Sequence, residues 1–433
     1  MKLRPFELVL VTIFGIMGLI ALVLLSTYKP APSKTTLSLG ESVRIWGTVD
    51  AGAFEATLKP LIEINPAYRV VSYTQKDESN FDNELLNALA DGIGPDILFL
   101  SHEQLVQYRN KIQPFSYDQF PLPDFQSRYI DGAEIFALSD GIYAFPAVID
   151  PLVMYWNRDM LGTYNFINPP ASWETIVNET VPTLVKRDFD RTIVRSPLAF
   201  GEYRNVTNGF AVISMLLLQG GSDLVTEGDN EYKLNLNQAK SGKGEPFTTA
   251  VNFYTNFAIP SNPLYSWNRA QHNDRLQFLS EDLVLYFGKG SEAKSLSFQN
   301  PNLNFGMAEV PQGATANVRR TYGTFYGYAL LRSSRNLTGA QIVLQELGNV
   351  SNVEKLATAL LMAPAYRSLL TASSNDQYGR IIYSSAVVAR GWLSPKPTIT
   401  NDIFTQMVED VLANRHRPGE AANDAVGRLR EVY

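Results

Sequence analysis

The 433-residue sequence contains no cysteine and only three histidines, His102, His272 and His416. The first absence removes disulfides, thiolate metal sites, a cysteine nucleophile and a lipidated N-terminal cysteine at once. A chain of this size does not need disulfides, so their absence leaves the compartment open. Three histidines spread so widely argue against a histidine-based metal centre or a catalytic triad. Runs of Lys and Arg are missing too, and a formal net charge of −6 argues against a nucleic-acid surface. There is no internal repeat and no low-complexity tract. Gly288-Lys289-Gly290-Ser291 lacks the spacing of a phosphate-binding loop and reads as a tight strand-to-helix turn. Neither a cofactor nor a metal is expected.

What is present is enough hydrophobic content, 45%, to build two domains. Lys2 and Arg4 precede residues 8–25, which carry no charge. As a helix that run spans about 27 Å, close to a hydrocarbon core, with its positive flank held inside. Residues 1–28 are therefore expected to be a membrane anchor or uncleaved signal, with the body outside the cytoplasm. Cleavage near Ala31-Pro32-Ser33 is the alternative. Residues 29–41, rich in Pro, Ser and Thr, form the tether.

Residues 43–47 (VRIWG), 69–73 and 96–100 (DILFL) read as strands, with helical spacing at Phe54, Leu58, Leu61 and at Phe81, Leu85, Leu89 between them. This alternation predicts a mainly parallel α/β sheet, whose ligands bind beyond the carboxyl ends of the strands. The rule points to Trp46 and Asp50 after the first strand and to His102, Glu103 and Gln104 after the third. The stretch 142–157 (IYAFPAVIDPLVMYWN) is almost wholly apolar with one charge, Asp150, and predicts a strand buried on both faces. A charge there is costly unless paired, so Asp150 is either an ion-pair partner or part of a site. Apolar helices are predicted over 211–218 and 248–257, a buried strand over 282–287, and helices over 340–347, 353–361, 403–413 and 421–432.

The motifs Ile45-Trp46-Gly47, FDNELLNALADG followed by Gly94-Pro95-Asp96, Ile142-Tyr143-Ala144-Phe145-Pro146 with Tyr155-Trp156-Asn157-Arg158-Asp159, and Pro170-Ala171-Ser172-Trp173-Glu174 occur in order. Together they resemble the extracellular solute-binding proteins of ABC importers, in the group that contains the maltose-binding protein. The resemblance covers nearly everything after residue 40. It implies a two-lobed periplasmic-binding-protein-like fold with a ligand cleft, hinge closure, and ABC transporter permease subunits as partners. Residues 42–148 plus 281–324 are expected to form lobe I, and residues 149–280 plus 325–433 lobe II. Glu103 and Asp150 fall where that family has sugar-binding carboxylates, and Trp392 in the region of a late stacking tryptophan. Leu100, Gln104 and Gly290 depart from the maltodextrin pattern, and the lipidated cysteine is missing.

Sugar recognition uses carboxylates that take pairs of hydroxyls and aromatic faces that cover a pyranose. The candidate ligand set is therefore Asp150, Glu103, Asp50, Trp46, Trp392, Gln104, His102, Tyr203, Tyr322 and Phe325. The expected function is capture of a carbohydrate solute by a membrane-tethered, non-enzymatic binding protein. A polyamine or other cationic ligand in the same fold is the alternative, since several carboxylates and aromatics could hold a cation. A glycosidase using Glu103 and Asp150 as its carboxylate pair is a third reading.

Overall fold

A computed structural model describes residues 39–190, 192–222, 224–228, 231–242, 244–371 and 376–433. The expected anchor and most of the tether lie outside them. Among the described residues no helix is long and apolar enough to cross a membrane.

The long strands are β1 (Val43–Gly47), β2 (Val71–Gln75), β3 (Ile97–Ser101), β4 (Phe145–Asn157), β5 (Ile193–Leu198), β6 (Leu283–Lys289), β7 (Phe305–Ala308) and β8 (Thr321–Leu330). The helices used below are α1 (Ala51–Ile64), α2 (Phe81–Ala90), α3 (Gly209–Gln219), α4 (Pro246–Thr255), α5 (Leu337–Leu347), α6 (Val350–Leu360), α7 (Gln377–Val388), α8 (Pro397–Leu412) and α9 (Pro418–Arg430). The main sheet runs β2-β1-β3-β8-β4-β6-β5. β1 pairs in parallel with β2 and β3, as β-α-β alternation requires, while β8 runs antiparallel to both β3 and β4.

The predicted strand at 142–157 is present as β4, with eleven of its thirteen residues buried and only Phe145 and Trp156 partly exposed. It serves two half-sheets. Residues 145–151 pair with β8, whereas Leu152–Trp156 pair with β6 and Met154–Asn157 with β7. The exchange of partners falls at Pro151, which has no N–H to donate and is tolerated where a ladder ends. Asp150 sits one residue before that exchange.

β6 was expected with the first lobe, but it pairs with β5 and the C-terminal part of β4. Its run DLVLYF is apolar on both faces, and that pattern does not encode which neighbour it takes. The helices around each half follow the same division. α6 packs on α1 beside β1, whereas α9 packs on α4 and α8 over the second core, with Phe247, Phe404, Met407 and Leu429 buried there. The predicted C-terminal helices are all present as α5, α6, α8 and α9. α7 was missed because its Gly379, Tyr383 and paired serines blur the apolar period.

Candidate functional site

The carboxyl ends of β1 and β3 point toward the place where β4 changes partners. Ser101 ends β3, and a short 3₁₀ turn, His102–Gln104, follows it. Gln104 spends its side chain there: its Oε1 accepts the Ser101 N–H at 3.1 Å, closing the turn. His102 is fully buried. Its Nδ1 accepts the Phe325 N–H at 3.1 Å, and its Nε2 lies 3.3 Å from the Tyr322 hydroxyl. Burial, with the Lys289 charge beside it, lowers its pKa to about 3, so the ring is a neutral structural element.

Glu103 is half-buried and faces β8. Its Oε1 accepts the Tyr322 hydroxyl at 2.5 Å and lies 3.4 Å from the Thr324 hydroxyl. Asp150, 2% exposed, approaches from β4. Its two oxygens accept the Ser291 N–H at 3.0 Å and the Ser291 hydroxyl at 2.6 Å. Ser291 belongs to the turn after β6, which Glu292 closes by accepting the Lys289 N–H at 2.7 Å. Burial raises the Asp150 pKa to about 6, against the opposing pull of Lys289 and the Ser291 hydrogen bonds.

Lys289 lies within electrostatic range of both carboxylates. Tyr326 and then Glu103 and Asp150 hold its ammonium well above the usual lysine range, against the effect of burial. Among the described residues its Nζ donates no hydrogen bond within the protein, so its N–H groups are available to a ligand. Tyr326 comes from β8, its ring stacked on Phe99 at 5.9 Å, and burial raises its hydroxyl to about 12. Tyr203, whose hydroxyl donates to Asn401 at 2.7 Å, feels the Glu103 charge from the second half.

Five of the predicted residues thus converge: Asp150, Glu103, His102, Tyr322 and Tyr203. Others do not. Asp50 is exposed and caps α1, accepting the Ala53 N–H at 2.9 Å. Trp46 is half-buried under the Lys76 ammonium, 3.9 Å from its ring centroid. Phe325 points to the opposite face of β8, where its ring abuts Gly132. Trp392 is 2% exposed, packs beside Phe210 and Phe404, and donates its indole N–H to Ser214 at 3.0 Å. It is a core residue of the second half. Gly290 could carry no aromatic, since even a Cβ there would come within 2.8 Å of Ile382.

Sequence reasoning missed Lys289, Ser291 and Thr324 as members of the cluster. Lys289 carries the same signal that singled out Asp150, one charge at the end of an apolar run. Ser291 and Thr324 carry no such signal, because only the fold brings them to the carboxylates.

The two halves also touch at the surface. Lys396, just before α8, pairs with Asp82 of α2 at 3.1 Å. Arg109 pairs with Asp140 at 3.1 Å and with Glu227 at 2.8 Å, tying the hairpin Val225–Glu227/Tyr232–Leu234 to the first half. A cavity of about 600 Å³ opens elsewhere, and neither Asp150 nor Glu103 lines it.

A family model described as bacterial extracellular solute-binding protein matches residues 63–371. A binding protein of Brucella abortus (strain 2308) is 22% identical over 268 residues, 61% of this chain and 61% of that protein's own length. The chain thus matches less than two thirds of the curated relatives. Among solved structures, a cyclic alpha-maltosyl-1,6-maltose binding protein from Arthrobacter globiformis superposes with a TM-score of 0.72 at 16% identity, covering 91% of this chain and 99% of the other. A cyclo/maltodextrin-binding protein complexed with maltotetraose gives 0.71 at 14% identity, over 90% and 97%. A solute-binding protein from Thermotoga lettingae TMO bound with alpha-D-tagatose gives 0.66 at 18% identity, over 91% and 100%. At these identities the likeness establishes a shared mixed α/β two-lobed fold.

Proposed function

The chain belongs to the bacterial extracellular solute-binding protein family, and on that premise we propose that it captures a carbohydrate outside the cytoplasm and delivers it to an ABC importer. The observation that carries the reading is the convergence of Glu103, Asp150, Lys289 and Tyr326 where β4 changes partners. Carboxylates accept hydroxyl protons, the ammonium donates to hydroxyl and ring oxygens, and the tyrosine ring covers a pyranose face. The crossings in β4 and β8 serve as the hinge. Ligand contacts to both halves then stabilise the closed state, which the importer reads. Residues 8–25 keep the protein at the membrane. The sugar-binding neighbours named above support the same ligand class by likeness of fold.

Lys289 disfavours the polyamine alternative. Its ammonium already lies in the field of Glu103 and Asp150, so a second cation beside them would meet a like charge. The glycosidase reading is disfavoured by family membership.

A thermal-shift panel of oligosaccharides, polyamines and amino acids tests this reading. Saturable stabilisation by a sugar, lost in Asp150→Asn, is the expected result. Stabilisation by polyamines and by no sugar would overturn it, and release of cleaved glycan would replace it with the enzymatic reading.

A further inference from the structure

The cavity of about 600 Å³ lies behind the crossing strands, on the face opposite the carboxylates. Successive strand residues alternate faces. Tyr322 and Thr324 reach Glu103, whereas the intervening side of β8 presents Phe325 to Gly132, in the 3₁₀ turn Asp131–Phe136 that walls the cavity. Glu134 and Leu138 line it from the first half, Leu218 and Leu224 from the second, and Arg320 and Arg390 from the crossing segments. Its volume suits a small molecule.

We propose that this cavity is a second ligand site, for a small hydroxylated organic anion, and that its occupancy is linked to the sugar cleft. The parallel pairing of Thr321–Tyr322 with Ala389–Arg390 sets Arg390 opposite Tyr322, two positions beyond Arg320, and both arginines line the cavity. The main chain of Arg320 is fixed at both ends: its N–H donates to Gln312 at 3.0 Å, and its carbonyl accepts from Gln219 and Gln312, each at 3.0 Å. Among the described residues its guanidinium has one hydrogen bond, to the Arg319 carbonyl at 3.0 Å. Its remaining N–H donors have no partner among the described residues. Arg390 gives one arm to Asp131 at 3.0 Å and the other to the Ala389 carbonyl at 2.8 Å, and burial together with the Arg320 charge holds its guanidinium below the usual range. A carboxylate or phosphate between the two arginines relieves that repulsion with charge-assisted hydrogen bonds.

Among the described residues, two of the three acids on the wall are already engaged. Asp131 is shared with Arg367, at 2.5 Å, and Glu227 with Arg109. Glu134 remains, so the anion that fits carries a hydroxyl donor beside its acidic head. Linkage to the front runs through Gly391 and Tyr322. Gly391, next to Arg390, packs so tightly on His102 that a Cβ there would come within 2.3 Å of Nε2. Tyr322, the pairing partner of Arg390, is the residue that holds Glu103. An anion that orders residues 389–391 therefore biases the geometry of the sugar-binding carboxylate, and the bias is reciprocal.

Gluconate and its neutral counterpart sorbitol are the probes, read by thermal shift and calorimetry on the wild type, Arg320→Gln, Arg390→Gln and Asp150→Asn. Gluconate is expected to stabilise the wild type saturably while sorbitol does not. Losing a charge-assisted hydrogen bond in Arg320→Gln should weaken its apparent Kd about tenfold. Asp150→Asn should retain the response, which separates this site from the sugar cleft. An equal response in the wild type and Arg320→Gln, no response at all, or a response lost only in Asp150→Asn overturns the proposal. Arg320 is only half-buried, so the test stands on its variant even if Arg390→Gln fails to fold. Absence of sugar binding would be seen independently in the oligosaccharide panel.

Discussion

Asp150→Asn gives the most direct test of how the site is built. The carboxyl moves from 3.8 to about 6 on folding, with burial as the leading cause. At about 1.4 kcal/mol per unit, its ionised form opposes folding by about 3 kcal/mol above both values. The sign follows from the proton count. Between the unfolded and folded pKa the native chain holds a proton that the unfolded chain has released, so this group's contribution to stability falls as pH rises through that window. Asparagine keeps the shape, accepts the Ser291 N–H through its oxygen and carries no charge. Urea unfolding of the unliganded protein should therefore show Asp150→Asn more stable than wild type by up to about 3 kcal/mol at pH 7.5, with the difference nearly gone at pH 4. Ligand affinity should fall at the same time. A variant less stable than wild type at both pH values, with an unchanged slope between them, would refute the reasoning. The ionised carboxylate would then be a structural anchor for the turn after β6.

Tyr322→Phe removes the hydroxyl that Glu103 accepts at 2.5 Å. It should weaken sugar binding by about tenfold in calorimetry, a bond to a charged group contributing about 1.5–3 kcal/mol. Trp392→Ala should cost about 3–5 kcal/mol in urea unfolding, as for a large buried side chain, with intact affinity in the surviving folded fraction. Loss of affinity with little loss of stability would instead make Trp392 a ligand contact. Gly391→Ala forces a Cβ against His102 and should destabilise the protein by about 1–3 kcal/mol, since the ring is fixed by Phe325 and Tyr322. Lys289→Met leaves Glu103 and Asp150 without their cation, and a thermal-shift comparison should show its preference moving toward polyamines.

Much of the fold was legible because local patterns repeat the architecture. The spacing of Phe54, Leu58 and Leu61 marks α1, and the unbroken apolar run around Asp150 marks a strand buried on both faces. The fate of single side chains was less legible. Asp50 and Gln104 stand at strand exits, where ligand residues also stand, but each closes the first turn that follows its strand. A helix cap and a ligand-binding carboxylate have the same sequence signature, because both place an acceptor at the end of a strand. Trp392 reads as a stacking aromatic until its indole is seen bonded to Ser214 inside a core.

The sequence by itself determined the class of the protein: an α/β chain without cysteine chemistry, with an isolated charge in the middle of its longest apolar strand. It also determined that Asp150 would need a partner, since a charge in that setting cannot stand alone. Which partner it found was decided by tertiary structure. β6 carries no label for its neighbour, and only its pairing with β5 and β4 delivers Lys289 and Ser291 to Asp150 while β8 delivers Tyr326. Contacts between residues 141 positions apart, such as Asp150 and Ser291, depend on how apolar strands stack, and periodicity is silent about that order.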